Sequence, residues 1–121
     1  MIVNLHPMDM MQMAQTASEH KHIPFIFAHP GERTRVLENI DIMKKQDNVY
    51  LDISGTGILR YGVLRHLVNE VGAERILFGT DYPIGNPSAY VHGVLGEKLS
   101  DREKELILSG NAKRLLFNVH S

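Results

Sequence analysis

The sequence predicts an α/β fold built on a parallel β-sheet. Four short apolar runs, residues 2–5, 24–28, 49–53 and 76–79, are separated by segments with helical spacing. The runs do not alternate between apolar and polar residues, which is typical of parallel strands buried on both faces. Strands and helices therefore alternate as βαβαβαβα. This order is shared by a doubly wound open sheet and by a segment of a (β/α)8 barrel.

The first three helices are predicted from composition and apolar spacing. Residues 8–20 are rich in helix formers and follow the first strand. After the second and third strands, apolar side chains recur with the period of a helix that covers one face of a sheet. These side chains are Val36, Leu37, Ile40 and Met43 in one segment, and Val63, Leu64, Leu67, Val68 and Val71 in the other.

The last two helices are predicted from capping signals. Ser100 and Glu103 have the spacing of a capping box, which predicts a helix beginning at Asp101. Ser109 and Gly110 are expected to end that helix. Asn111 is then expected to cap a final short helix.

Composition narrows the class of protein. The 121 residues, 43% of them hydrophobic, predict a single domain spanning residues 1–121. Thirteen basic and fourteen acidic residues give a net charge of -1, so we expect no nucleic acid or membrane partner. The expectation of a small-molecule substrate comes instead from the candidate site residues described below. The absence of cysteine excludes disulfides and thiolate metal ligands. No apolar run is long enough for a signal peptide or membrane span, which predicts a soluble, cytoplasmic protein.

Metal-ligating side chains follow three of the four predicted strands. His6 comes after the first strand, His29 after the second and Asp81 after the fourth, while the third runs through Asp52 to Ser54. The carboxyl ends of parallel strands meet at one edge of a sheet, so these side chains are expected to converge. Imidazole and carboxylate ligands suit a divalent metal, with zinc favoured and manganese or iron as alternatives.

A metal held there would lower the pKa of bound water to about 7. Asp81 would accept the proton of the attacking water, and His29 would either bind the metal or orient the water and polarise a substrate carbonyl. Each residue also has an ordinary structural interpretation. A histidine before proline is often a loop residue, and Asp52 could simply bond backbone amides of the following turn. The His20–His22 motif precedes the second strand and is expected at the opposite end of the sheet.

Three segments carry a family resemblance: "NVYLDISGTG", "VGAERILFGTDYP" and "SGNAKRLL". They resemble the carboxyl-terminal half of the amidohydrolase-related group, which contains metal-dependent (β/α)8 hydrolases and decarboxylases. The resemblance implies a (β/α)4 half of a TIM barrel, with helices outside and strands corresponding to barrel strands five to eight. It also implies that His6 and Asp81 are metal ligands, that His29 lies at the metal or its water, and that Asp81 is the catalytic base.

The chain departs from this family pattern in length and in one motif. Complete barrels of this kind need about 250 residues, and the family's H-x-H pair after barrel strand one has no counterpart here. A half-barrel would leave two apolar edge strands unpaired. We expect two copies to close into one ring, with a missing amino-terminal half on another polypeptide or a small open sheet as alternatives. The alternative function is a noncatalytic, truncated or split half-barrel that acts by self-association.

Overall fold

A parallel four-stranded sheet forms the centre of the molecule. The computed structural model describes residues 1–5, 9–55, 57–58 and 60–120, with side chains described as far as residue 117. The strands lie in the order β1-β2-β3-β4, and every neighbouring pair is parallel. They are β1 (Val3–Leu5), β2 (Phe25–Ala28), β3 (Val49–Asp52) and β4 (Ile76–Leu77). The predicted α/β class and its four strands are confirmed.

Helices connect the strands and continue the chain after β4. They are α1 (Met10–Glu19), α2 (Arg33–Lys45), α3 (Val63–Val71), α4 (Pro87–Leu95), α5 (Asp101–Glu105) and α6 (Asn111–His120). A short 3-10 helix, Ala73–Arg75, leads into β4. None of the helices in the described part of the chain is long and apolar enough to cross a membrane.

The two faces of the sheet have different surroundings. Phe25, Val49 and their neighbours two residues on, Phe27 and Leu51, are buried and pack with apolar side chains of α1, α2 and α3. Because consecutive parallel strands joined by right-handed crossovers place their helices on one side, this face carries the core. The registers Asn4↔Ile26 and Ile26↔Tyr50 place those three side chains together on the other face. We call it the open face, because Asn4 is exposed and the other two are only half-buried there.

The carboxyl-terminal helices confirm one capping prediction and correct another. Ser100 and Glu103 form the predicted capping box, and the hydrogen bond from the Ser100 backbone lowers the pKa of the Glu103 carboxyl. The helical segment does not end at Ser109 and Gly110, however. It continues through a π-helical turn, Leu106–Gly110, directly into α6.

Asn111 is therefore not a helix cap. Its backbone is helical, and its side chain is fully buried. The side-chain amide donates to the carbonyl oxygens of Ala73 and Ile76 at 2.6 and 2.8 Å. Asn111 thus fastens α6 to the segment that begins β4.

The sequence prediction did not include α4. Its signals are nevertheless present, since the Asn86 side chain accepts a hydrogen bond from the Ser88 amide at 3.0 Å and Pro87 occupies the first turn. A capping residue followed by proline is typical of a helix start. The sequence prediction missed these signals because they lie within the Gly- and Pro-rich segment that follows Asp81.

Candidate metal site

His29 and Asp81 both lie beyond the carboxyl ends of strands. His29 directly follows β2, and its amide donates to the Asp52 carbonyl at 2.9 Å, so it stays attached to β3. Asp81 follows β4 after three residues, and its carbonyl accepts hydrogen bonds from the amides of Ile84 and Gly85. Both residues have left-handed backbone conformations, with φ of 70° and 58°. Such conformations are uncommon outside glycine and often accompany functional sites.

The two side chains meet at this edge of the sheet. His29 Nε2 lies 4.0 Å from Asp81 Oδ2, with side chains that are 16% and 45% exposed. Two of the three predicted ligands are therefore brought together, whereas His6 lies outside the described residues. Within the described ranges, no three His, Asp or Glu side chains are grouped closely enough to hold a metal ion.

The contacts of the other nitrogen of His29 indicate which tautomer the ring favours. Nδ1 lies 2.8 Å from the carbonyl oxygen of Ser54. A carbonyl can only accept a hydrogen bond, so Nδ1 carries the proton and donates it. In the neutral imidazole, Nε2 then has a lone pair, and this lone pair lies on the side of Asp81.

Asp52 and Ser54 form a hydrogen-bonded turn behind the histidine. The Ser54 amide donates to Asp52 Oδ1 at 2.9 Å, and the Ser54 hydroxyl donates to Asp52 Oδ2 at 2.8 Å. The bonding of Asp52 to a backbone amide of the turn is confirmed. Ser54 also belongs to the site, because the same hydroxyl oxygen lies 3.1 Å from His29 Nδ1. Sequence reasoning did not identify Ser54 as a site residue. The only local signal is a serine two residues after an aspartate at a strand end.

Two glycines give the site its close packing. A Cβ at Gly55, where φ is +78°, would lie 2.5 Å from His29 Nδ1. A Cβ at Gly79 would lie 2.6 Å from Asp52 Oδ1. The Gly55 carbonyl in turn accepts a hydrogen bond from the Tyr90 hydroxyl at 2.6 Å, which ties the turn to α4.

Other polar residues lie apart from this pair. His20, Lys21 and His22 are exposed and precede β2, so this motif is absent from the carboxyl edge, as expected. Glu32 is the residue before α2 and forms an exposed ion pair with Arg60 at 2.7 Å. The histidine motif and Glu32 are therefore surface features outside the candidate site.

The donor atoms of His29 and Asp81 fit a divalent metal. Ligand atoms of this kind bind at about 2.0 to 2.2 Å, so a tetrahedral ion holds two of them about 3.3 to 3.6 Å apart. The observed separation of 4.0 Å is slightly longer, so the two side chains would approach each other by about 0.5 Å when a metal binds. An imidazole lone pair and a carboxylate oxygen are also the ligand types that zinc, manganese and iron accept.

Solved structures share the arrangement of most or all of this chain. An uncharacterized TIM-barrel protein from Bordetella bronchiseptica matches with a TM-score of 0.81 and 22% identity, over 100% of this chain and 47% of that one. Amidohydrolase 2 from Bifidobacterium longum subsp. infantis matches with a TM-score of 0.70 and 17% identity, over 95% and 49%. Dihydroxybenzoic acid decarboxylase from Polaromonas, solved with manganese and the inhibitor 2-nitroresorcinol, gives 0.66 and 22%, over 93% and 39%.

Fold and site together define the class of this protein. It is an α/β protein with the fold of part of a TIM barrel, and it carries polar side chains at the carboxyl ends of its strands. The family model for Amidohydrolase matches residues 1–117, so the chain belongs to the amidohydrolase family. The chain spans less than half of each of the three solved structures. No curated protein matches it.

Proposed function

We propose that the chain is the metal-binding half of a metal-dependent hydrolase, or of a mechanistically related decarboxylase, that acts on a carbonyl-type small molecule. The observation that carries this proposal is the approach of His29 Nε2 to Asp81 Oδ2 at the carboxyl edge of the sheet. On this proposal, β1 to β4 correspond to barrel strands five to eight. Family membership over residues 1–117 supports the proposal.

Each residue has a distinct role in the proposed reaction. His29 contributes the Nε2 lone pair, either to the metal or to the hydrogen bond that orients the reacting water. Asp81 contributes a carboxylate that is 45% exposed, so it can bind the metal and accept a proton from water that enters from solvent. His6 is proposed as the third ligand. A bound divalent ion supplies the acidity that makes hydroxide available near neutral pH.

Zinc is the metal that we favour, because imidazole nitrogen and carboxylate oxygen are ligands that zinc commonly takes in proteins. Manganese is the main alternative, since the Polaromonas decarboxylase was solved with manganese bound. Iron accepts the same donor types. Loading with each metal separately distinguishes among them.

Removing the Asp81 carboxylate is expected to abolish metal retention. The wild-type protein, loaded with zinc or manganese and then desalted, should keep close to one metal ion per chain. Inductively coupled plasma mass spectrometry measures the metal content. Asp81→Ala should keep almost none, because a ligand and its negative charge are lost. Asp41→Ala, on the exposed surface of α2, is the matched control and should retain metal like the wild type. Equal metal content in all three proteins, or none in the wild type, would contradict the proposal.

The alternative function, self-association, is favoured by the open face of the sheet. A groove of about 390 Å³ runs along that face, with walls formed by strand residues and by α6. Its apolar lining includes Ile26, Leu77, Leu115 and Leu116. The strands β1 and β4 are both edges of the described sheet, and unpaired apolar edges favour association.

We propose a second copy of this chain as the occupant of that face. One copy corresponds to 47% of the Bordetella barrel, so two copies approach the size of a complete barrel. A two-fold axis along the barrel would pair β4 of each copy with β1 of the other while keeping all strands parallel. The interior of the closed ring would then be formed by the two open faces.

A charge placed in the groove is expected to separate the two copies. Leu116, 52% exposed, lines the groove, whereas Leu37, 50% exposed, lies on α2 away from it. Sedimentation equilibrium should give a dimer for the wild type and for Leu37→Glu, and a monomer for Leu116→Glu, because a buried unpaired carboxylate is strongly unfavourable. A monomeric wild type would contradict self-association and favour another polypeptide as the occupant. Dimers of all three proteins would exclude the groove as the interface.

A further inference from the structure

We propose that Asp52 and Ser54 are positioning residues that hold His29 in the tautomer whose Nε2 lone pair is directed toward Asp81. The inference concerns the imidazole itself and can be measured without metal. Its importance for chemistry rests on the proposed function, because a metal ion or its water is what Nε2 would bind.

The hydrogen bonds of Asp52 determine the direction of the Ser54 hydroxyl proton. Asp52 as a carboxylate only accepts hydrogen bonds, and it accepts two from Ser54, one from the amide and one from the hydroxyl. The single hydroxyl proton of Ser54 is therefore directed to Asp52 Oδ2. The Ser54 oxygen can then present only a lone pair to His29 Nδ1, 3.1 Å away.

Two acceptor atoms of Ser54 lie near His29 Nδ1. The carbonyl oxygen of Ser54 lies 2.8 Å from Nδ1, and the hydroxyl oxygen lies slightly farther. Both favour a proton on Nδ1. Asp52 thus acts on the histidine through Ser54, in the same way that carboxylates behind a metal-binding histidine commonly set its tautomer.

Burial and close packing protect these hydrogen bonds from replacement by water. Ser54 is only 3% exposed, so water has little access to substitute for its hydrogen bonds. Gly55 and Gly79 have no side chains where a Cβ would meet His29 and Asp52, respectively. The absence of these two side chains lets the hydrogen-bonded residues approach closely.

The substitution Asp52→Asn tests the positioning role because it replaces one of the two acceptor oxygens of Asp52 with an NH2 donor. The Ser54 amide still needs an acceptor, so the new amide oxygen is expected to take the place of Oδ1. The new NH2 group would then face the Ser54 oxygen and donate to it. The hydroxyl proton must turn elsewhere, and toward Nδ1 it would oppose the imidazole proton. Because the Ser54 carbonyl still favours a proton on Nδ1, we expect a mixture of the two tautomers in this variant, in place of the single Nδ1–H tautomer of the wild type.

The measurement is a long-range 1H–15N spectrum of metal-free, 15N-labelled protein. It is recorded at about pH 8.5, two units above the ordinary imidazole pKa of about 6.5. The His29 signals are assigned by their absence in His29→Gln. The wild type should show a protonated Nδ1 and an unprotonated Nε2. His92, whose Nδ1 lies 2.8 Å from the Ser88 carbonyl, is an internal reference that should not change in any variant.

A double substitution distinguishes positioning from a general loss of structure. Asp52→Asn combined with Ser54→Ala removes the hydroxyl whose proton opposes Nδ1, while the carbonyl of residue 54 remains. The Nδ1–H tautomer should therefore return, although one more hydrogen bond has been deleted. A merely structural role predicts further disruption instead. Asp41 is exposed on α2, so Asp41→Asn is the matched control for the change of charge.

Zinc affinity provides a second readout. Asp52→Asn should weaken zinc binding about tenfold to a hundredfold, the range seen for residues behind metal ligands, and the double variant should recover part of the loss. Should Asp52→Asn fail to fold, Asp52→Ala also frees the Ser54 proton and should shift the tautomer to a smaller extent.

The outcomes separate this inference from the proposed function. A wild-type His29 with the proton on Nε2, or a tautomer that does not respond to the Asp52 substitutions, would overturn the inference even if metal binds. A tautomer that responds as expected in a protein that binds neither zinc nor manganese would support the positioning role and contradict the metal-dependent function.

Discussion

Replacing Asn111 with alanine is expected to lower the free energy of unfolding by about 2 to 4 kcal/mol. Its buried amide donates to the carbonyl oxygens of Ala73 and Ile76, and both acceptors would lose a partner without gaining water. The substitution would also leave a small cavity between α6 and the start of β4. Chemical denaturation followed by circular dichroism measures the change.

Two further variants identify the cause of this loss. Asn111→Asp keeps the size of the side chain but places acidic oxygens against two carbonyls, so it should be at least as destabilising as alanine. Asn39→Ala removes another buried amide, which makes one longer hydrogen bond of 3.3 Å to the Pro30 carbonyl, and should cost less. An Asn111→Ala protein within about 0.5 kcal/mol of the wild type would show that these bonds do not fasten α6.

The substitution Gly55→Ala is expected to lower stability and to disrupt the proposed metal site. Residue 55 has φ of +78°, and the added Cβ would lie 2.5 Å from His29 Nδ1. Left-handed backbone costs a residue with a Cβ about 1 to 2 kcal/mol, and displacement of the imidazole adds to this. We expect a total loss of about 2 to 4 kcal/mol, together with a large loss of bound zinc or manganese.

Gly62→Ala is the matched control for this prediction. Gly62 also has positive φ, +93°, but a Cβ there meets nothing within 4 Å. It should therefore show the backbone cost alone and retain metal as the wild type does. Similar stability and similar metal content in the two alanine variants would mean that the ring of His29 is not confined by residue 55.

The strand ends could be predicted from the sequence because the evidence for them is local. An apolar run followed by His29 or by Thr80 and Asp81 marks both the end of a strand and a polar group beyond it. The parallel order then places such groups at one edge without any knowledge of packing. The proximity of His29 and Asp81 follows from these two facts.

Other features depend on contacts that the local sequence does not contain. Asn111 has the sequence of a helix cap, yet it lies inside a continuous helical segment because its amide reaches Ala73 and Ile76, more than 30 residues earlier. The role of Ser54 was missed for a similar reason. Its distance to the His29 ring is set by the register of β2 against β3, and by the glycine that follows it.

The left-handed backbone of His29 and Asp81 implies a trade-off between folding and chemistry. Each residue adopts a conformation that costs about 1 to 2 kcal/mol for a side chain with a Cβ, whereas glycine would adopt it freely. A chain optimised for rigidity alone would favour glycine at both places. By bearing an imidazole and a carboxylate there, this protein gives up part of its thermal tolerance for the two groups that we propose as metal ligands.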